Sequence, residues 1–407
     1  GTVAKMGMGY AVAYAGDVDD DGVSDVVVGA YKSSPVVSGI TRKAAGSIRV
    51  ISGKTGALIP ALSVPGLLSG DGFGFSVAGV GDINGDGHAD IAVGAPAADC
   101  LQRKDAGSLT VLSGATGTPI YTECGAFAGD RLGTAVVLAG DINNDGIPDI
   151  AAGAPRADRD LNGVITNDLG SVRIYTGVSG TLLAERFGTA PKDQFGTALA
   201  AAGDIDSDDY DDLLVGAPLA DKWVLGKLVK DVGHVQLLSG QVLYTNGTDT
   251  LLTLEGEKTG DGFGTSVSGG HDANNDGIPD IAIGAPRVDI SSVNAKGKTV
   301  LLKDVGRAYL YSGSGSGLIR PYDGAAAGDG FGAVVALPGD LNGDTRADLV
   351  VSSPRADRSS INAKGKTVLL KDVGRVVGYS GANGAVLFNR VGAVAKDGYG
   401  TALNAGG

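Results

Sequence analysis

The sequence predicts an all-β protein, and three observations lead to this prediction. The 407-residue chain repeats one pattern at intervals of 59 to 68 residues. Each repeat contains four short apolar runs bounded by tight-turn residues, and 69 residues of the chain are glycine, which is typical of short strands joined by turns. No helical periodicity of useful length is visible. A unit of this size is too small to bury a core alone, so we expect neighbouring units to share one.

Every repeat follows one template. It opens with an aromatic or apolar residue and a glycine, at Met8-Gly9, Phe73-Gly74, Leu132-Gly133, Phe195-Gly196, Phe263-Gly264 and Phe331-Gly332. A strand of small residues and an acidic loop come next. The second strand then ends in Gly-Ala-Pro or a relative of it, at Gly29, Gly94, Gly153, Gly216, Gly284 and Ser352. Third strands such as SVRIYT and fourth strands such as TLLAERF complete the units.

Four short strands in each unit predict one blade of a β-propeller. We expect a single propeller domain over residues 1–407, built from four-stranded antiparallel blades. The complete repeats cover approximately 8–72, 73–131, 132–194, 195–262, 263–330 and 331–398, and a partial seventh covers 399–407. A parallel β-helix is the rival fold, but its coils are far shorter than these units.

The two ends of the chain bear on the number of blades. Residues 1–16 match residues 392–407 at eight positions, so the sequence stops within the first strand of a seventh unit. Two copies of one strand cannot occupy the same position in a ring. We therefore expect seven blades, with six as the alternative, in which case the tail pairs elsewhere, including with another molecule.

The acidic loops carry the strongest chemical signal. Six times the chain repeats Asp-x-Asp/Asn-x-Asp-Gly-x-x-Asp between two apolar runs. Side-chain oxygens at positions one, three and five, a backbone carbonyl at seven and a carboxylate at nine make an all-oxygen set that suits calcium. Glycine at six permits the positive φ of the turn. The loop resembles the first half of an EF-hand loop, yet no acid stands at position twelve, where Val28 and Val93 lie in a strand.

The spacing predicts one Ca²⁺ site in each complete repeat. The predicted ligands are Asp17, Asp19, Asp21, Val23 and Asp25; Asp82, Asn84, Asp86, His88 and Asp90; Asp141, Asn143, Asp145, Ile147 and Asp149; Asp204, Asp206, Asp208, Tyr210 and Asp212; Asp272, Asn274, Asp276, Ile278 and Asp280; and Asp340, Asn342, Asp344, Arg346 and Asp348. Val23, His88, Ile147, Tyr210, Ile278 and Arg346 would bind through their backbone carbonyls.

A solvated turn without metal is the alternative for any one such loop. Six clusters of uncompensated carboxylates would repel one another within each loop, and this favours a bound cation. Two loops depart from the pattern at position six, where Asp209 and Thr345 replace glycine. A β-branched residue is disfavoured at positive φ, so we expect loop six to bind calcium most weakly.

Charge and composition narrow the classes of function. The formal charge is −13, but the predicted ligands include 20 aspartates, and without them 26 acidic residues face 33 basic ones. The basic residues are scattered, so we expect no nucleic-acid partner. No apolar run approaches the length of a membrane span. Cys100 and Cys124 form either a disulfide or two free thiols, and Asn246 is the acceptor of the only N-glycosylation sequon.

Repeats five and six share the stretch NAKGKTVLLKDVGR between their second and third strands, from Asn294 and from Asn362. Its apolar centre and flanking lysines predict an extended hairpin at the rim of the propeller. We interpret the lysines as guards of the strand edges, which discourage pairing with other chains.

The opening Phe-Gly, the acidic loop and the closing Gly-Ala-Pro together resemble FG-GAP repeats, and the resemblance covers essentially the whole chain. These repeats build the head of integrin α subunits and occur in many surface proteins. The resemblance implies a β-propeller, usually of seven blades, with calcium in the loops that join the first two strands of a blade. It also implies extracellular adhesion or protein interaction. All six complete repeats carry a metal loop here, unlike integrin heads.

We therefore expect a secreted or cell-surface module whose propeller face binds a protein or a glycan. The alternative is a structural building block that assembles with copies of itself, with calcium making each blade rigid. A hydrolase is the weaker hypothesis, because the three histidines are poorly placed and no nucleophile motif is present. We expect no enzyme activity.

Overall fold

The computed structural model describes residues 7–245, 250–293, 296–315, 317–361 and 365–404. Asn246 of the glycosylation sequon lies outside these ranges. The described residues form six four-stranded antiparallel sheets and five two-stranded hairpins. Each sheet keeps the order of its strands along the chain, and each hairpin is inserted between the second and third strands of its blade. The described part of the chain is therefore all-β, with one five-residue helix in blade four.

Blade one contains β1 (Met8–Gly16), β2 (Asp25–Ala30), β5 (Ile48–Ile51) and β6 (Leu58–Ile59), with the hairpin β3 (Val36–Val37) and β4 (Ile40–Thr41) and a 3-10 turn at Pro60–Leu62. Blade two contains β7 (Ser76–Gly81), β8 (Asp90–Ala95), β9 (Ser108–Leu112) and β10 (Pro119–Cys124). Blade three contains β11 (Ala135–Gly140), β12 (Asp149–Ala154), β15 (Ser171–Tyr175) and β16 (Leu182–Phe187), with the hairpin β13 (Arg159–Leu161) and β14 (Val164–Thr166).

Blade four contains β17 (Ala198–Gly203), β18 (Asp212–Ala217), β21 (His234–Leu238) and β22 (Thr250–Glu255), with the hairpin β19 (Lys222–Val224) and β20 (Lys227–Val229) and the helix α1 (Gly240–Tyr244). Blade five contains β23 (Ser266–His271), β24 (Asp280–Ala285), β27 (Arg307–Ser312) and β28 (Gly317–Asp323), with the hairpin β25 (Ile290–Val293) and β26 (Thr299–Leu302). Blade six contains β29 (Val335–Ala336), β30 (Leu349–Ser353), β33 (Arg375–Tyr379) and β34 (Val386–Val391), with the hairpin β31 (Arg358–Ile361) and β32 (Thr367–Leu370).

The first strands line a central channel with a volume of about 740 Å³, and alanine, glycine and valine supply most of its wall. Small residues fit here because all six blades converge on the axis. The second strands are buried along their whole length in blades two to five, and this explains why they are continuously apolar instead of alternating. The core lies between neighbouring blades, in clusters that each draw residues from two of them.

The Phe-Gly and Gly-Ala-Pro motifs meet at the joint between blades. The amide of Gly133 donates a hydrogen bond to the carbonyl of Gly153 in its own blade, at 3.0 Å. The carbonyl of Gly133 lies against Gly94 of the preceding blade, so closely that a Cβ on Gly94 would collide with it. Equivalent contacts join Gly153 to Gly196, Gly216 to Gly264 and Gly284 to Gly332. Both glycines are therefore needed for the close packing of one blade on the next.

The expectation of seven blades is wrong, and the alternative of six is the one that the structure supports. Residues after Tyr399 add no strand to a seventh sheet within the described part of the chain. Tyr399 instead pairs with Gly374 of blade six, Leu403 packs against blade six, and Asn404 Oδ1 accepts a hydrogen bond from the amide of Tyr14 at 3.4 Å. The tail thus lies between blades six and one and does not compete with β1 for its position.

A disulfide joins Cys100 and Cys124, which leaves no free cysteine in the chain. It ties the connection between β8 and β9 to the end of the outer strand β10. Among the described residues, no helix has the length and apolar character needed to cross a membrane.

Candidate metal centres

The acidic loops join the first and second strands of their blades, so all six lie at the same end of the propeller. In loop two the Asp82 carboxylate is wrapped by backbone amides, accepting from Gly85, Asp86 and Gly87 at 2.8 to 3.0 Å. Asn84 Oδ1 also accepts from the amide of Asp86, at 2.9 Å. These hydrogen bonds hold the loop in a tight turn.

The aspartate at position five makes one backbone hydrogen bond that recurs in every loop. One oxygen of this aspartate accepts a hydrogen bond from the amide of position seven, at 2.9 to 3.1 Å, in the pairs Asp21–Val23, Asp86–His88, Asp145–Ile147, Asp208–Tyr210, Asp276–Ile278 and Asp344–Arg346. In loops two, four, five and six the second oxygen accepts a hydrogen bond from a serine hydroxyl.

In loops one and four the first three acids come together. The carboxylates of Asp17, Asp19 and Asp21 each have an oxygen within 4.8 Å of the others, and those of Asp204, Asp206 and Asp208 do the same. These loops have aspartate at position three, where the other four have asparagine. In loops two, five and six the asparagine amide donates to the aspartate at position nine, at 2.9 to 3.2 Å.

The aspartate at position nine has a second role that the sequence did not indicate. It is fully buried in all six loops, and its two oxygens accept hydrogen bonds from two separate backbone amides at 2.8 to 3.3 Å. One amide belongs to loop position two and the other to a glycine at the end of the third strand. The donors are Val18 and Gly53, Ile83 and Gly114, Ile142 and Gly177, Ile205 and Gly240, Ala273 and Gly313, and Leu341 and Gly381.

The residue before that glycine also reaches the loop. The hydroxyl of Ser113 donates to Asp86 at 3.1 Å, and Ser239, Ser312 and Ser380 make the same contact in loops four, five and six. Sequence reasoning missed these serines, although a recurring Ser-Gly at the end of the third strands could have identified them. The candidate centre is therefore built from two turns, one acidic loop and one Ser-Gly turn.

Burial and the neighbouring acids disfavour the ionised form of the aspartates at position nine, which we call the closing aspartates. Burial raises the pKa of Asp149 and of Asp212 to about 7, and that of Asp280 to about 6, and nearby acids of the same loops add to each effect. Burial also raises the pKa of Asp90 and Asp348. A cation close to these carboxylates would stabilise their ionised form.

The residues present fit a hard divalent cation. All ligand atoms in the predicted sets are oxygens. A carboxylate that accepts two hydrogen bonds still has further lone pairs with which to bind a cation. Asn274 Oδ1 is buried without a hydrogen-bond partner among the described residues, and it lies in loop five beside two carboxylates. A buried amide oxygen without a hydrogen-bond partner could coordinate a cation. The ligand assignments remain predictions.

Position six adopts the positive φ that the sequence predicts. Gly22, Gly87, Gly146 and Gly277 have φ between 83° and 88°. Asp209 and Thr345 are held at φ 69°, where a β-branched side chain is strained. The backbone of loop six thus keeps the common turn at a cost that the other loops avoid.

The fold and these loops define a class of protein, a β-propeller with an acidic loop in every blade. The family model for the FG-GAP repeat matches residues 73–112, 132–175, 195–238, 263–311 and 331–370, just over half of the chain. The chain belongs to the FG-GAP repeat family. Blade one lies outside the matched ranges, although its sheet has the same strand order.

Curated relatives narrow the class to integrin-α-like proteins. The chain is 31% identical over 231 residues to integrin alpha-5 of Xenopus laevis, covering 54% of this chain and 20% of the relative. It is 31% identical over 235 residues to integrin alpha pat-2 of Caenorhabditis elegans, covering 53% and 18%. It is 37% identical over 183 residues to integrin alpha-7 of Rattus norvegicus, covering 44% and 15%. The matches thus span about a fifth or less of these relatives.

The fold also has a counterpart among solved structures. A crystal structure of BBS1N in complex with ARL6DN, soaked with lead, superposes with a TM-score of 0.50 and covers 92% of this chain and 79% of that chain. The sequence identity is 9%, so this similarity concerns the fold alone.

Proposed function

We propose that the chain is an extracellular, calcium-stabilised interaction module that binds a protein ligand through the end of the propeller opposite the acidic loops. The observation that carries the proposal is the contrast between the two ends. The acidic loops keep one length of nine residues in every blade, while the connections between second and third strands vary from 12 to 21 residues. Variable loops on a rigid scaffold are typical of recognition surfaces.

Calcium has a structural task in this proposal. Each ion would hold an acidic loop in place, and the closing aspartate would connect that loop to the Ser-Gly turn of the same blade. At a calcium concentration tenfold above the dissociation constant, one site contributes about 1.4 kcal/mol to the free energy of unfolding. Six such sites together approach the stability of a typical domain. Removal of calcium should therefore loosen the whole scaffold.

Two further observations support an extracellular setting and an adhesive role. The Cys100–Cys124 disulfide suits an oxidising compartment. The integrin-α relatives indicate adhesion to a protein ligand, and the FG-GAP family is the part that this chain shares with them. No catalytic role is assigned to the aspartates, because the proposed calcium sites would account for them.

The test has two separable parts. Calorimetric titration of calcium into the EDTA-treated chain should show close to one ion for each blade; a protein that binds none contradicts the metal sites. Beads coated with the chain should then attach to surfaces coated with purified fibronectin or collagen in calcium but not in EDTA. Attachment no greater than that of albumin-coated beads contradicts the adhesive role. Light scattering that rises with concentration would favour the self-assembling building block instead.

A further inference from the structure

The hairpin of blade four presents apolar side chains to water. Trp223, Val224 and Leu225 follow one another near its tip and are all exposed, with Trp223 at 71% and Leu225 at 103%. Trp223 is the only tryptophan in the chain. Lys227 begins the returning strand and Lys230 follows its last residue, and both are exposed. An apolar tip of this kind is unfavourable in water unless a partner covers it.

The other hairpins share this character. We define the hairpin crown as the five hairpins β3–β4, β13–β14, β19–β20, β25–β26 and β31–β32. Because each follows the second strand of its blade, all five lie at the end opposite the acidic loops. Exposed apolar residues occur on every one, at Val36, Ile40, Leu161, Val164, Ile165, Val293, Leu301, Ile361 and Leu369 in the four hairpins besides that of blade four.

The crown end of the chain is also basic. The six connections between second and third strands (31–47, 96–107, 155–170, 218–233, 286–306 and 354–374) contain 19 of the 33 lysines and arginines but 11 of the 46 acids. Their net charge is +8, and that of the rest of the chain is −21. More than half of the basic residues are therefore concentrated in the connections at the crown end, while most acidic residues lie elsewhere in the chain.

Most acidic side chains in these connections accept hydrogen bonds from backbone amides of the same connection. Asp221 accepts a hydrogen bond from the amide of Asp231 at 2.8 Å, which clamps the base of the blade-four hairpin. The pairs Asp99–Asp105, Asp158–Asp168, Asp289–Asp304 and Asp357–Asp372 make the same clamp at 2.9 to 3.0 Å. These five acids thus hold the backbone of their connections, whereas Asp160 is exposed in β13 and accepts a hydrogen bond from the amide of Gly163 at 2.7 Å.

We propose that the hairpin crown docks this protein onto an anionic lipid bilayer, with the apolar tips in the headgroup layer and the basic residues against lipid phosphates. A combination of exposed tryptophan and leucine with neighbouring lysines is what a bilayer interface binds. Several separate tips can enter a fluid surface at different depths, without a matching pocket for each of them. A polyanionic polysaccharide would satisfy the lysines but would leave the apolar tips in water.

The single tryptophan makes the proposal directly measurable. The calcium-loaded chain is mixed with vesicles of phosphatidylcholine alone or of phosphatidylcholine with phosphatidylglycerol. We expect Trp223 emission to shift to shorter wavelength, and the protein to sediment with the vesicles, only when the anionic lipid is present. High salt should release the protein, because the lysine contacts are screened.

Matched variants separate the crown from the rest of the surface. Lys227→Gln with Lys230→Gln should weaken vesicle binding roughly 30-fold, at about fivefold per lysine, and Leu225→Ala roughly tenfold. Leu182→Ala, at an exposed leucine on the acidic-loop end, should change nothing. Melting temperatures in calcium show that each variant is folded.

Three results would overturn the proposal. The first is unchanged Trp223 emission with anionic vesicles. The second is an equal loss of binding in Leu182→Ala and Leu225→Ala, which would mean that the crown has no special part. The third is a blue shift that grows with protein concentration in the absence of lipid, because the tips would then be covered by a second copy of the chain. The calcium titration and the bead attachment contain no lipid, so they test the proposed function separately from vesicle binding.

Discussion

The closing aspartates allow a prediction that distinguishes their two roles. Asp90 is fully buried, and Asp90→Ala removes the acceptor of two backbone amides, those of Ile83 at 3.1 Å and Gly114 at 2.9 Å. A buried donor without a partner costs about 1–3 kcal/mol, so the two amides together cost about 2–6 kcal/mol. Burial raises the pKa of Asp90, and loss of that buried charge offsets part of the cost. We therefore expect the lower half of the range.

Asn84→Ala is the matched comparison within the same loop. Asn84 is exposed, and water can replace its contacts with Asp86 and Asp90. In EDTA we expect this variant to lose less than about 1 kcal/mol, while Asp90→Ala keeps its full loss. In calcium both variants lose a ligand as well, so both become less stable than the parent by more than in EDTA.

Urea denaturation in calcium and in EDTA gives the four free energies of unfolding that the comparison needs. Asp90→Asn serves as a control, because one amide oxygen still accepts from one backbone donor and the loss should be intermediate. If Asp90→Ala in EDTA is no less stable than Asn84→Ala, the double hydrogen bond is not what makes this residue necessary. A loss in calcium alone would assign Asp90 to metal binding only.

Three further predictions follow from other sites. Thr345→Gly removes the backbone strain of a β-branched residue held at φ 69°. It should raise the free energy of unfolding by about 1 kcal/mol and tighten calcium binding in loop six. Weaker calcium binding at this site in a calorimetric titration would contradict the prediction. In EDTA, Asp149 and Asp212 have a folded-state pKa of about 7, above the unfolded value, so their contribution to stability is greatest below about pH 4 and is lost as the pH rises to 7. Melting in EDTA should therefore occur at a higher temperature at pH 5 than at pH 8, with calcium reducing the difference, and the opposite order would refute the argument. Replacement of Cys100 and Cys124 by serine removes a disulfide between residues 24 positions apart. The free energy of unfolding, measured by denaturation without reductant, should fall by about 3 kcal/mol. Added reductant should then leave the stability of this variant unchanged.

The sequence alone was sufficient for the local features of this protein. The strand-forming runs, the all-β class and the acidic loops depend on residue type and short spacing, so they can be read from a single repeat. The same holds for the positive φ at position six, because only the few residues around the turn determine it. The FG-GAP resemblance rests on these local motifs, and the family match agrees with it.

Features that join distant residues were decided by the tertiary structure. The number of blades was predicted incorrectly because it depends on where Tyr399 and Leu403 pack, and the repeat pattern is the same for six blades and for seven. The second role of Asp90 depends on Gly114, a contact 24 residues away that exists only when β8 and β9 pair. The polarity between acidic loops and hairpin crown likewise arises from antiparallel strands, which carry alternate connections to opposite ends of each blade. Local chemistry fixed the parts, and packing between strands and blades determined which of those parts meet.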